Sequence, residues 1–202
     1  MRLEVQTPTG PGWIDLDRPR GKPVALLAIG HGAGGGVDAR DILAVRDAAL
    51  AAQVAVARIT QPYRVAGRRS PAPAARLDEA WLAAVAAVRA ERGLRTAPLV
   101  AAGRSSGARV ACRTATASGA IAVVALAFPV HPPGRPDKSR LDELALPTVP
   151  VLVVQGDRDA FGMPPPDLAE LVVIEGGDHS LKKDPKAVAS AVVDFVRRTV
   201  VT

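Results

Sequence analysis

The residues Gly103-Arg104-Ser105-Ser106-Gly107 stand where an apolar run, Pro98 to Ala102, gives way to an amphipathic segment, Ala108 to Ala117. A G-x-S-x-G between a strand and a helix is the sharp turn that presents a nucleophilic serine, with small neighbours two residues away on each side so that the chain can bend. A serine hydroxyl is a weak nucleophile at neutral pH. It needs a base, usually histidine, and a third group that orients that base. The sequence holds three histidines. His179 lies in Gly176-Gly177-Asp178-His179-Ser180, a flexible stretch between a last apolar run and a final helical pattern, where a base could swing to the serine. Gln155-Gly156-Asp157-Arg158-Asp159 closes another apolar run and offers two carboxylates between serine and histidine in chain order. Successive residues leaving a strand point different ways, so one of the two reaches His179. Asp159, further into the loop, is preferred. Asp157 suits a turn, and Asp178, adjacent to His179, suits local loop bonding.

Acyl transfer also needs two N–H donors for the oxyanion of the tetrahedral intermediate. Ser106, the residue after the nucleophile, supplies one. The other is expected from Gly30-His31-Gly32-Ala33-Gly34-Gly35-Gly36, with Ala33 first and Gly34 second. His31 precedes the serine in a tight loop and reads as a structural hydrogen-bonding residue. Gly30, Gly32 and Gly35 also spell G-x-G-x-x-G, a dinucleotide-binding pattern. The acidic residue that should follow about twenty positions later is missing, because no Asp or Glu occurs between Ala48 and Leu77. Cys112, the single cysteine, excludes an intrachain disulfide and a cysteine zinc cage, and reads as a buried structural thiol.

The elements that must hold these residues alternate short β-branched runs with Ala-rich helical patterns, which predicts an α/β class with a parallel sheet between helices. Arg2 to Gln6 and Trp13 to Asp15 read as a leading hairpin. Strands are expected at Val24 to Ile29, Val54 to Ile59, Pro98 to Ala102, Ile121 to Ala127, Val149 to Gln155 and Leu171 to Glu175. Helices are expected at Ala39 to Ala52, capped by Asp38; at Ala74 to Arg92, ended by Gly93; at Ser106 to Ala117; around Lys138 to Leu144; and at Pro185 to Val200. The 202 residues suit one domain over 1–202, with 48% hydrophobic and 23% charged residues as in ordinary globular chains. Ala120 to Val130, the longest apolar stretch, is about half a bilayer span and contains Pro129. Met1 to Pro11 has no apolar secretory core, so the expectation is a cytoplasmic protein without membrane association. A net charge of +6 permits nucleic-acid binding, but the arginines are dispersed and aromatic residues make up only 3%, so no stacking platform is expected.

From about Val24 onward the chain resembles the α/β hydrolases, in particular the small cap-less branch with dienelactone-hydrolase-like topology. It is most similar to the hydrolase-like family of testis-expressed protein 30 and the α/β domain of nonspecific-lethal complex subunit 3. Pro62-Tyr63 with Gly67-Arg68-Arg69 carries the likeness, as do the elbow through Arg109, Phe128 to Pro136, Gln155 to Gly162, and Gly177-Asp178-His179-Ser180-Leu181. One departure is Ser106-Gly107-Ala108, where related elbows often read Met-Gly-Gly. The resemblance implies a mostly parallel sheet with helices on both faces and no cap domain. It also implies triad roles for Ser105, Asp159 and His179. His131 and Arg68 then fall on loops at the ligand-binding edge, and with Gly34 are the expected substrate contacts. The expected activity is ester or thioester hydrolysis of a small acyl substrate without cofactor or metal; the alternative is a catalytically silent binding domain.

Overall fold

The computed structural model describes residues 1–201. Its sheet has eight strands in the order β1-β2-β4-β3-β5-β6-β7-β8. These are β1 (Arg2–Thr7), β2 (Gly10–Asp17), β3 (Ala25–Gly30), β4 (Val54–Thr60), β5 (Leu99–Arg104), β6 (Ala122–Leu126), β7 (Val151–Gly156) and β8 (Glu170–Ile174). β2 pairs antiparallel with β1 and β4, and the remaining pairs are parallel. Among the described residues six helices accompany them: α1 (Arg40–Ala51), α2 (Pro62–Val65), α3 (Ala74–Ala90), α4 (Ser106–Ser118), α5 (Leu141–Leu144) and α6 (Pro185–Val201).

The central strands are apolar throughout because both faces are covered. Leu26 and Ala28 of β3 join a core with Trp81, Val85 and Val88 of α3 and Val110, Ala111 and Cys112 of α4. Ala25, Leu27 and Ile29, on alternate positions, join the opposite core with Ile42 and Val45 of α1 and Val192, Phe195 and Val196 of α6. Burial pushes the Cys112 thiol up to about 12, so this sulfur stays protonated and packs as a small apolar group. Among the described residues no helix is long and apolar enough to cross a membrane.

Several boundaries differ from the sequence expectation for identifiable reasons. β2 extends well beyond Trp13 to Asp15 because it pairs on both edges, with Thr7 opposite Gly10 on one side and Asp17 opposite Val56 on the other. β5 continues through Gly103 and Arg104, which pair with Ala125 and Leu126, so the ladder runs up to the Ser105 N–H. The connection after β4 contains α2, an unforeseen turn of helix started by Pro62. Asp38 does not cap α1. The cap position is Ala39, without a side-chain bond, and Asp38 turns back toward Gly36.

Two long connections at the carboxyl edge, 61–73 and 127–150, carry only the single-turn helices α2 and α5 besides loop. α5 is tied down by charge. Glu143 accepts two 2.6 Å bonds from Arg109 of α4 and one at 3.0 Å from Arg113, which also grips Asp78 of α3. Burial favours the neutral acid at Glu143, but the two guanidiniums outweigh it and hold the carboxyl below its ordinary range. Glu143→Gln should therefore cost about 1 kcal/mol at pH 7, since the pair is partly solvated, read as a melting temperature about 2–4 °C lower. The deficit should begin to shrink as pH falls below 4.5, where the unfolded chain takes up the proton, and vanish as pH passes the lower folded value, where the native carboxylate does so too.

Candidate functional site

β5 ends against a backbone constraint. Ser105 adopts φ 52° and ψ −111°, a region that side-chain-bearing residues rarely occupy. The conformation is held because the strand before it and the helix after it nearly touch. A Cβ on Gly103 would overlap the Gly107 carbonyl, and one on Gly107 would lie 2.8 Å from the Gly30 and His31 carbonyl oxygens. The result is a half-buried serine at the N-terminus of α4, with its hydroxyl displayed above the sheet edge.

His179 and Asp159 arrive from neighbouring strands. A side chain on Gly156, the last residue of β7, would fall 2.5 Å from the Gly177 carbonyl carbon and 2.9 Å from the Asp178 oxygen. The loops after β7 and β8 are thus in backbone contact, reinforced by the Arg158 N–H donating to the Gly177 carbonyl at 2.9 Å. Across this junction the His179 Nδ1–H donates to Asp159 Oδ2 at 2.8 Å, and the Ser105 hydroxyl donates to His179 Nε2 at 2.8 Å. The Asp159 carboxylate is fully shielded from solvent. It accepts further bonds from Gln155 Nε2 (2.9 Å) and the Phe161 N–H (2.8 Å). Each partner is a donor, as an ionised carboxylate requires. Phe161 also stacks on the His179 imidazole with ring centroids 4.0 Å apart.

The glycine loop lies alongside. A Cβ on Gly32 would stand 3.5 Å from the Ser105 Cβ, and the Gly35 N–H donates to the Gly32 carbonyl, leaving Ala33 and Gly34 at the corner of a turn. Tyr63 Oη donates to the Ala33 carbonyl at 2.8 Å and pins that corner. The Ser106 N–H opens α4 and has no carbonyl one turn earlier to receive it. His31 is buried, donates from Nδ1 to the Gly32 carbonyl and accepts the Gln61 N–H at Nε2. Burial lowers its pKa and nearby Arg64 adds to the effect, so it is a neutral tie between β3 and β4. The loop does not have dinucleotide-binding form. α1 starts only at Arg40, and its first turn carries buried Asp41, which would repel a pyrophosphate.

The other residues singled out in the sequence lie apart from this chain of hydrogen bonds. His131 packs on the loop that carries Asp159: its N–H donates to the Phe161 carbonyl, its Nδ1 to the Pro132 carbonyl, and its Nε2 would lie 2.6 Å from a Cβ on Gly162. Arg68 lines a separate cavity with Thr9, Tyr63 and Arg76, one that Ser105, Asp159 and His179 do not border. Asp157 is exposed, and Asp178 bonds Ser180 within its own loop. Sequence reasoning missed Gln155 and Phe161 as supports of Asp159 and His179. Their signals were a lone amide at the end of a buried strand and an aromatic ring two residues beyond the acid. Among the described residues no group of three or more His, Cys, Asp or Glu is arranged to hold a metal ion.

A family model for the alpha/beta hydrolase domain matches residues 23–195. The chain belongs to that family. No curated protein matches it. Solved structures similar to this α/β hydrolase include a lidless α/β serine hydrolase from Xanthomonas campestris, at 22% identity over 98% of this chain and 94% of the other, TM-score 0.77. Est1E from Butyrivibrio proteoclasticus is similar at 19% over 100% and 99%, TM-score 0.76. A dienelactone hydrolase from Anabaena variabilis is similar at 17% over 100% and 96%, TM-score 0.75. At these identities the likeness shows the fold, and the hydrolase's own geometry carries the chemistry. Gly156→Ala should part the two loops and break the His179–Asp159 contact. Serine-directed labelling should slow about 100-fold, as expected for a displacement near 1 Å, with unchanged labelling as the contrary result.

Proposed function

We propose that this α/β hydrolase is a serine esterase or thioesterase acting on small acyl substrates through an acyl-enzyme. The observation that carries the reading is the unbroken run from Ser105 Oγ to His179 to the buried Asp159, with 2.8 Å at both steps. In this reading Ser105 Oγ attacks the acyl carbonyl carbon while His179 Nε2 takes the hydroxyl proton. Asp159 fixes the tautomer and stabilises the imidazolium. The carbonyl oxygen becomes an oxyanion that accepts from the N–H groups of Ala33 and Ser106. The tetrahedral intermediate then collapses, the bond to the leaving group breaks, and His179 returns the proton to that group. Water, deprotonated by His179, attacks the acyl-enzyme and regenerates Ser105. Every proton is accounted for by side chains and water, so the reaction draws on no cofactor or metal.

Among the described residues the loops 60–73 and 129–146 carry nothing larger than the single-turn helices α2 and α5, which favours an open site and a compact substrate. The elbow, the Phe128 to Pro136 stretch and the Gln155 to Gly162 stretch further support placing the enzyme in the cap-less branch, beside the hydrolase-like family of testis-expressed protein 30 and nonspecific-lethal complex subunit 3. A fluorophosphonate probe should label the native protein and leave Ser105→Ala unlabelled at equal folding. Short p-nitrophenyl esters should turn over in the same serine-dependent way. Equal labelling of both proteins would end this assignment.

A further inference from the structure

The hydrogen-bonded run accounts for both imidazole nitrogens but not for what holds the main chain of His179. The histidine sits in a loop between β8 and α6, downstream of two glycines. Its carbonyl oxygen accepts from Arg104 Nη2 at 2.9 Å, across 75 residues of sequence. Arg104 immediately precedes the nucleophile, so the loop carrying the base is tied to the elbow itself. The same guanidinium reaches a second anchor: Nε stands 2.9 Å from Asp41 Oδ2 as an ion pair, with the Asp41 side chain 2% exposed and the Arg104 side chain 16% exposed. Asp41 belongs to the first turn of α1, which packs against α6, the helix that follows the His179 loop. The third arm of the fork, Nη1, passes beneath the glycine loop, 3.0 Å from where a Cβ on Gly32 would lie. Burial pushes the Asp41 carboxyl upward and Arg104 draws it back, as expected of a carboxylate whose main compensation is this guanidinium.

A surface ion pair would explain none of this. A buried carboxylate is costly unless a cation stands close to it, and a planar guanidinium can lie against Asp41 along one edge while its Nη2 donates to the His179 carbonyl, a span that a compact lysine ammonium does not cover. We infer that Arg104 and Asp41 are positioning residues for His179. Asp41 orients the guanidinium, and the guanidinium holds the His179 main chain so that Nε2 faces Ser105 and Nδ1 faces Asp159. Neither touches the reacting atoms. The inference rests on the hydrolytic reading of Ser105, Asp159 and His179, and it supplies a reason for arginine at the position before the serine.

The test separates position from stability. Arg104→Met leaves Asp41 buried without its partner, so both melting temperature and turnover should fall. Adding Asp41→Asn removes that unpaired charge. In the double variant the melting temperature should recover much of its loss, while kcat stays roughly 100-fold below wild type with KM little changed, because the His179 carbonyl still lacks its donor. A merely structural role predicts the opposite, kcat returning together with the melting temperature, and would overturn the inference. Arg104→Lys is the milder arm. It should fold like wild type yet turn over about 10-fold more slowly, and wild-type kcat in this variant would likewise overturn the inference. The far-downfield proton resonance of His179 Nδ1–H gives a readout independent of turnover. It should be present in the wild type and lost or shifted in the double variant; persistence at the wild-type position counts against the brace. If the wild type shows the resonance and the double variant loses it while no fluorophosphonate labelling occurs, the hydrolase assignment fails and the positioning role stands.

Discussion

Ser105 is held at φ 52° because Gly103 and Gly107 let β5, α4 and the end of β3 approach to backbone contact. The remainder of the site is arranged around that point. The same close approach places the glycine loop beside the serine, exposes the first N–H of α4, and aims the hydroxyl at the space above the sheet edge. The strain of such a conformation, about 1–3 kcal/mol, persists only when the surroundings over-determine it. Here they do, through the strand ladder extended to the Ser105 N–H and the fully buried Gly107 and Ala108 behind it.

A second backbone contact, Gly156 against Gly177, does for Asp159 and His179 what the elbow does for Ser105. Parallel strands β5, β7 and β8 deliver their loops to one edge, as open α/β sheets do. Backbone proximity brings those loops close enough for hydrogen bonds near 2.8 Å. Side-chain supports then refine the placement. Gln155 and the Phe161 N–H fix the Asp159 carboxylate, the Phe161 ring lies on the imidazole, and Arg104 holds the His179 carbonyl. His31 and Tyr63 pin the glycine loop in the same manner, one as a buried neutral imidazole and the other through its hydroxyl.

Much of this was legible in the chain itself. The pentapeptide around Ser105, the order serine, acid, histidine, and the alternation of apolar runs with Ala-rich segments are local patterns, and local patterns survive without coordinates. Asp159 could be preferred over Asp157 because it stands further into the loop, whereas Asp157 suits a turn. The supports were not legible, because Gln155, Phe161 and Arg104 act through contacts that exist only once distant loops meet. Arg68 illustrates the converse: it lies on an edge loop as expected, yet the turn at α2 carries it to a different cavity. Asp38 failed as a helix cap for a similar reason, since its preference for capping gave way to a tight turn beside Gly36.

The central claim is that Ser105 becomes acylated because His179 accepts its proton. The most direct measurement is acid-quenched peptide mass mapping after millisecond mixing with p-nitrophenyl acetate. An acetyl group on the peptide containing Ser105 in the wild type, absent in His179→Ala, is the predicted result. Turnover with no acetyl at Ser105, or equal acetylation of Ser105 without His179, would contradict the account.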